Sequence, residues 1–591
     1  MNPALWPLEA VIVTVAGVWQ GIRQDFNLLE LAMVGACVYA WTKKGWRPRR
    51  IPAIRTFRHP ALAAAAMIAA AVALRLALIP LLPVPIPIVT DEFSHLLLAD
   101  TLLHGRVSNP PHPLWRHFES LHILQQPRYV SNYFPGHALF LAAGRIVSAS
   151  PWAGILAEYA LFLAALYWAL RGWMPSRWAA FGMVLAAVRF GVASYWVNAY
   201  HGGFLPAAGG ALIFGAFPRL RKNPAGAQSL ILGLIFGLGL AVLASTRPFE
   251  GFLFAVPFGL VLLWEMRKRI GALIGLAAAA SVVALPAVAG LGLYFERITG
   301  SPFVTTYHIS QKTYGWPMGF LWTPPPKIEQ RHIELQRYYD YEIAEHEKVA
   351  GVGGFLEFLT FRLQEYWRFF LGPALTVPLL MLGRMWKRRP LLVASAAGGV
   401  VAIVLEGAAS PHYLAPATAV IVAIVVEGCR YYDGLRVRLA PLLIAAMAVV
   451  IVLRMVAEKA GLPYTQALNY QSWCCRVEGN LDKARMTKGL ERIPGNHLVF
   501  VKAKTDPNNL FQWVYNDADL DVARIVWARD LGAESNAQLA RYYAERETWL
   551  VDPNVEPPAR VSYSPEAAGA PEAWSGAASA THPNPAQPAP R

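Results

Sequence analysis

The chain has 591 residues, of which 55% are hydrophobic and only 15% are charged. A soluble globular chain carries about 25% charged residues, so this composition excludes an ordinary soluble enzyme. The net charge of +15 does not point to nucleic acid either. The basic residues sit in short runs between apolar blocks: Lys43–Arg50, Arg171–Arg177, Arg219–Lys222, Arg267–Arg269, Arg384–Arg389 and Arg430–Arg438. That is the positive-inside pattern of a polytopic membrane protein.

The first block, 5–20, is short and holds Glu9, so it reads as a span or an interfacial helix. No basic n-region or cleavage site precedes it, and a removable signal peptide is not expected. Residues 27–42 and 60–83 pair across the basic loop Lys43–Arg58. Met67–Leu82 is the first long block almost free of charge, and spanning needs about 20 such residues. A long outward loop, 84–151, follows. Within it, Gly136–Val147 is too short to span and holds His137 and Arg145, which suits a re-entrant or interfacial helix. Further spans are expected at 152–170, 178–193, 204–217, 226–244, 251–266, 271–294, 366–383, 391–408, 414–429 and 440–457, with a second long outward loop at 295–365. The total is about twelve or thirteen spans.

Beyond residue 457 the composition changes. Asn496–Val501, Ala523–Ala528 and Thr548–Asp552 read as strands and Asn536–Glu547 as a helix, which makes 458–558 a small α/β domain outside the membrane. Residues 559–591 are rich in Ala, Pro and Ser and are expected to be disordered. Residues 1–59 form an N-terminal membrane unit, and 60–457 the main transmembrane domain. Four cysteines fit no metal motif, and the adjacent Cys474 and Cys475 are not expected to pair with each other.

Alternation puts the dense polar and aromatic motifs on one face, opposite the basic loops. Convergence from many loops suggests one site there. Thr90-Asp91-Glu92-Phe93-Ser94-His95 opens an amphipathic stretch, with His95 one turn from Asp91. A carboxylate at such a place can serve as a general base on a hydroxyl; the other reading is a helix cap. The loop Asn109–His137 carries Arg128, Tyr133, His137 and several further histidines. Arg128 is a candidate phosphate contact through its guanidinium fork. The histidines suggest a possible divalent metal, although their spacing fits no standard motif; the other reading is histidines covering a groove. The string Tyr195–Gly203 holds His201, and a further loop holds His412. Arg247, in Ser-Thr-Arg-Pro-Phe-Glu-Gly, is either an anchor for an anionic headgroup or a snorkelling charge, and Glu250 is its available partner.

A long helix, an acidic motif opening the first outward loop, an amphipathic helix, and Tyr133-Phe134-Pro135-Gly136 leading into a short apolar helix together resemble the GT-C glycosyltransferases. The nearest branch contains the protein O-mannosyltransferases and the lipid A aminoarabinose transferase. Asp91-Glu92 matches that branch's Asp-Glu pair, and Tyr133-Phe134-Pro135 approximates its Tyr-Pro-Pro motif, with Phe134 where a proline is common. The resemblance covers roughly residues 60–430 and implies a GT-C-like polytopic α-helical fold. It implies a polyprenyl-phosphate-linked sugar donor, a lipid, glycan or protein acceptor, and inversion at the anomeric carbon. Asp91 would be the base and Glu92 would orient it or the acceptor. Arg128, His201 and Arg247 are the candidates for the phosphate, and Tyr133 and His137 for the sugar; His95 and His412 complete the substrate-binding candidates. The protein would lie in the bacterial cytoplasmic membrane, among membrane lipids, with its C-terminal domain periplasmic. A transporter or lipid flippase is the alternative, but no paired repeat is present and the charges gather at one face rather than at mid-membrane.

Overall fold

The computed structural model describes residues 32–36, 39, 59–223, 225–349, 351–405, 410–460, 471–475, 479–504 and 512–565. The expected block 5–20, most of 27–42 and the end of the 559–591 tail lie outside the described residues.

Helix α1 (Pro60–Ala77) starts with a proline at its first turn, where the missing N–H costs nothing. The proline-rich stretch after it cannot stay helical and delivers the chain to α2 (Thr90–Leu103). An irregular segment leads to a small hairpin, β1 (Ile123–Leu124) and β2 (Val130–Ser131), and then to α3 (Pro135–Ser148). At 14 residues, α3 is short for a span. There follow α4 (Trp152–Trp173), α5 (Ser176–Gly191), α6 (Phe204–Lys222), α7 (Ala227–Ala244), α8 (Pro248–Met266) and α9 (Ile270–Thr299). The second long loop folds into α10 (Thr306–Tyr314) and α11 (Ile333–Lys348). Next come α12 (Gly351–Phe370), α13 (Gly372–Arg388), α14 (Pro390–Leu405), α15 (Pro411–Gly434) and α16 (Leu439–Lys459).

Among the described residues seven helices are long and apolar enough to cross a membrane, or eight if α12 and α13 make one bent span. The chain is therefore a multi-pass membrane protein. The other expected spans in this region are helical but shorter or more polar. α5 has 16 residues, α14 is likewise short, and α6 ends in Arg219, Arg221 and Lys222. The 96° bend between α12 and α13 falls at Gly372-Pro373, where Gly372 takes φ +61°. Buried Arg189 serves that break: its Nε and Nη2 donate to the carbonyls of Phe369 (2.9 Å) and Arg368 (2.6 Å).

The C-terminal part holds α17 (Leu481–Glu491), β3 (His497–Val501), β4 (Ile525–Arg529), α18 (Ala533–Tyr542), β5 (Glu547–Val551) and β6 (Arg560–Ser562). The sheet order is β4-β3-β5-β6, with β3 parallel to both neighbours and β6 antiparallel to β5. Alternation splits the buried β3 between two cores. Val499 and Val501 face Met486, Leu490 and Trp527. Leu498 and Phe500 share a second core with Leu97, Phe118, Ile123 and Tyr129 of the first loop. The small α/β domain thus sits on the loop that opens with Asp91. Cys474 and Cys475, contrary to expectation, are bonded to each other. They lie in a buried turn with Cys475 at φ +62°, whose N–H donates to the Ala193 carbonyl (2.9 Å).

Candidate active site at the mouth of the membrane domain

Asp91 and Glu92, adjacent in sequence, have different surroundings. Val89 at the N-cap of α2 makes no side-chain cap. Glu92 fills the gap: its Oε1 accepts from the N–H groups of Ile88 (3.0 Å) and Val89 (3.4 Å), and its Oε2 from Tyr200 N–H (2.9 Å). Fully buried, it ties the start of α2 to the Tyr195–Gly203 loop. Asp91, about 100° away around the helix, is left half-buried and faces polar side chains.

The Tyr133 hydroxyl donates to Asp91 Oδ1. On the other oxygen, Thr90 Oγ1 lies at 3.4 Å and His122 Nδ1 at 3.6 Å from Oδ2. The same His122 nitrogen is 2.8 Å from Thr90 Oγ1 and 3.3 Å from the Tyr133 hydroxyl, while its Nε2 is 3.3 Å from the Tyr338 hydroxyl. His122 adopts φ +61°, a conformation that costs about 1–3 kcal/mol and needs support. Ser94 Oγ (2.7 Å) and Asn132 N–H (3.1 Å) supply it by donating to the His122 carbonyl. Burial works against ionisation of Asp91. The charge and hydrogen bond of His122, the charge of His201 and the Tyr133 hydroxyl outweigh it and hold the carboxyl well below the usual range. Burial and the Asp91 charge together push the Tyr133 phenol well above its ordinary value. Glu342, on α11 near His122 and Asp91, is instead pushed up by burial.

A second layer supports Tyr133. His95 stacks on its ring (4.5 Å), and His137 meets His95 edge-on (4.9 Å). His137 spends both ring nitrogens, Nδ1 on Glu158 Oε1 (2.7 Å) and Nε2 on the Tyr200 carbonyl (3.0 Å). Burial, then the charges of His137 and Arg247, hold His95 well below its usual value, so it is a neutral imidazole. Its Nδ1 is buried without a hydrogen-bond partner.

The cationic side is built by docking. Gly136 N–H donates to the Ser245 carbonyl (2.8 Å), and a Cβ at Gly136 would lie 2.6 Å from Ser245 Oγ. The Tyr-Phe-Pro-Gly stretch therefore seats on the α7–α8 connection, which carries Arg247. Its guanidinium lies 4.4 Å over Tyr413 and 3.9 Å from Glu250 Oε1, and Tyr307 and Tyr133 are among its electrostatic neighbours. His201 and His412 stack at 5.2 Å, and the Tyr195 hydroxyl is 3.1 Å from His412 Nδ1. His412 feels the charges of Arg247, His201, Asp91 and His95. The pair of glycines after His201 has a steric reason: a Cβ on Gly202 would fall 2.6 Å from the His137 ring and one on Gly203 2.3 Å from Trp196.

Asp91, His95, Tyr133, His137, His201, Arg247 and His412 are thus brought together, with Glu92 directly behind them. Arg128 is not. It is exposed on the β1–β2 turn, at the opposite end of the hairpin from His122. Sequence reasoning counted His122 only among the loop histidines of a possible metal site or groove, and gave no role to Tyr307, Trp316, Tyr338 or Glu158. Trp316 packs on the His122 ring (4.2 Å) and Tyr307 on Tyr133 (6.2 Å). Glu158 did leave a signal, as a lone carboxylate inside an apolar span. The C-terminal domain reaches the site too: Tyr515 stacks on Phe93 (4.3 Å) and donates to the Leu121 carbonyl (3.1 Å), within the electrostatic field of Asp91. As for a metal, no group of three or more His, Cys, Asp or Glu among the described residues is arranged to hold one. Asp91 and His122 alone do not make a protein-held metal centre.

No protein-family model matches this sequence. No curated protein matches it either. Among solved structures, the chain is similar to the Archaeoglobus fulgidus oligosaccharyltransferase in complex with Zn and sulfate, at 14% identity and a TM-score of 0.46 over 84% of this chain and 68% of that one. It is also similar to ArnT from Cupriavidus metallidurans in the apo state, at 13% identity and a TM-score of 0.45 over 83% of this chain and 93% of that one. ArnT bound to undecaprenyl phosphate matches at 12% identity and a TM-score of 0.45, over 83% and 92% of the two chains.

Proposed function

We propose that the protein is a membrane-embedded inverting glycosyltransferase that takes a sugar from a polyprenyl-phosphate donor and places it on a hydroxyl of a lipid, glycan or protein acceptor. One observation carries the reading. An ionised carboxylate, Asp91, lies at the mouth of an apolar helical domain and shares its surroundings with Arg247, His201 and His412. A base and an anion-binding group in one site are what displacement of a lipid phosphate by a hydroxyl requires.

In this mechanism Asp91 accepts the proton of the acceptor hydroxyl as its oxygen attacks the anomeric carbon. The bond from that carbon to the donor phosphate breaks, and the polyprenyl phosphate leaves with the electron pair. Arg247 holds the departing phosphate, with His201 and His412 beside it. A single displacement from the opposite face inverts the anomeric configuration. Tyr133 and His122 orient the carboxylate, and Glu92 acts behind it as a positioning residue. No step is routed through a metal. The positive-inside pattern puts the site on the outer face of the cytoplasmic membrane, with the C-terminal domain in the periplasm against the first loop.

The test is transfer by the purified, reconstituted protein from radiolabelled polyprenyl-phosphate sugars to extracted membrane lipids and glycans, with the anomer of the product read by NMR. Transfer with inversion supports the reading. Retained configuration, or transport of the labelled lipid across the vesicle without bond cleavage, overturns it.

A further inference from the structure

The loop between α10 and α11 carries aromatic residues at two places with different surroundings. Trp316 belongs to the site: its ring lies 4.2 Å from that of His122 and 6.2 Å from that of Tyr133. Phe320 and Trp322, a few residues on, do not. Their rings stack on each other at 4.8 Å, with 47% and 67% of each residue exposed. A turn closed by Thr323 N–H donating to the Phe320 carbonyl (2.7 Å) holds the pair together.

Their position relative to the spans is set by Phe249. The Phe320 ring packs on Phe249 at 5.9 Å, in the first turn of spanning helix α8. At about 100° per residue, Phe249 lies on the same face of α8 as Phe252, Leu260 and Leu263. Those three are 66%, 60% and 50% exposed along a helix that is long and apolar enough to span. An exposed apolar stripe on a spanning helix faces lipid. Phe249 is therefore where that stripe meets the surface on the site face, and the Phe320–Trp322 pair continues the stripe beyond the helix end. Phe303, just past the C-terminal end of α9, is likewise 87% exposed. Large aromatic rings left in water at this level are costly, whereas the headgroup region of a bilayer accommodates them.

We propose that Phe320 and Trp322 seat this loop in the headgroup region of the leaflet on the site face, so that the loop reaches from the bilayer surface to His122 and Tyr133 through Trp316. The partner is the lipid interface itself. The loop is fastened at other points as well: Gln311 Nε2 donates to the Pro317 carbonyl (3.1 Å), and Lys327 Nζ pairs with Glu347 (3.0 Å).

The test reads depth in the bilayer and not sugar transfer, so its outcome is separate from that of the proposed reaction. A bimane probe is attached at Phe320→Cys and, separately, at Trp322→Cys in the full chain. Each is reconstituted into phosphatidylcholine vesicles with lipids carrying a doxyl quencher near the headgroup or deep in the chain. The expected result is that both probes lose most of their emission to the shallow quencher and little to the deep one. A probe at Val522→Cys, exposed on the C-terminal domain, should be quenched by neither. If the probes at 320 and 322 behave like the one at 522, the loop lies in water and the proposal is wrong.

Discussion

The Tyr133 hydroxyl donates to Asp91 Oδ1 while the Tyr133 ring stacks on His95, four residues further along the helix that carries Asp91. The same tyrosine that orients the carboxylate is thereby held by the helix it serves. Tyr133→Phe removes the donor and keeps the stack. The Asp91 carboxyl, held low in part by that hydroxyl, then titrates at a higher pH. The acidic limb of the pH–rate profile is expected to move to higher pH, and kcat to fall about ten- to a hundredfold, the value of a hydrogen bond to a charged group. An unchanged limb would remove Tyr133 from this role.

His122 reaches Asp91, Thr90, Tyr133 and Tyr338 from a left-handed backbone position. His122→Ala should lower kcat strongly and also lower thermal stability, since it removes a buried imidazole with its contacts to Thr90, Tyr338 and Trp316 and leaves Ala in the strained φ. His122→Asn, which tolerates that conformation, should recover part of the rate through its amide. A loss of folded protein in both variants, seen by size exclusion, would make His122 a structural residue only.

The seam between the C-terminal domain and the first loop contains Lys483. Its ammonium lies 5.1 Å from the Phe93 ring, 5.8 Å from Tyr515 and 5.1 Å from Trp527. Burial pushes its pKa down to about 7, opposed by Asp517. An unfolded lysine titrates near ~10.4, so between these values the unfolded chain binds the proton and the folded chain does not. The resulting destabilisation is complete below about pH 7 and disappears as the pH rises towards ~10. Lys483→Met is expected to raise Tm more at pH 6 than at pH 9. A lower Tm of equal size at both would mean that the three rings stabilise the cation outright.

The shared core predicts that the C-terminal domain and the first loop unfold together. Phe118 is 2% exposed and packs with Leu498 and Phe500 of β3 across this seam. Phe118→Ala should cost about 3–5 kcal/mol and make the C-terminal domain sensitive to protease at a temperature where the wild type resists. Cleavage at the wild-type rate would show the two parts to be independent.

Much of this arrangement was legible because it is local. The spans follow from long charge-free blocks such as Leu230–Ala244, and Asp91-Glu92 stands out as a paired acid at a helix start. What separates the two carboxylates was not legible. Glu92 accepts from the N–H of Tyr200, 108 positions away, and Asp91 is faced by a histidine whose φ no residue pattern reveals. Tyr338 meets His122 across 216 positions. Arg128 has the right chemistry, but the hairpin carries it away from the site. The strands at 497–501, 525–529 and 547–551 were readable as β-branched and aromatic runs. Their docking on the first loop was not, because it joins Leu97, Phe118 and Ile123 to Leu498 and Phe500, which lie far away in the chain.

The most direct measurement is single-turnover transfer from a radiolabelled polyprenyl-phosphate sugar by Asp91→Asn and Glu92→Gln, each checked for folding by size exclusion and Tm. The expected result is that Asp91→Asn keeps the wild-type Tm and loses about two to four orders of magnitude in rate. Glu92→Gln, which alters a buried cap, should lower Tm and retain more of the rate than Asp91→Asn. Wild-type transfer by folded Asp91→Asn would contradict the assignment of Asp91 as the base, and with it the proposed mechanism.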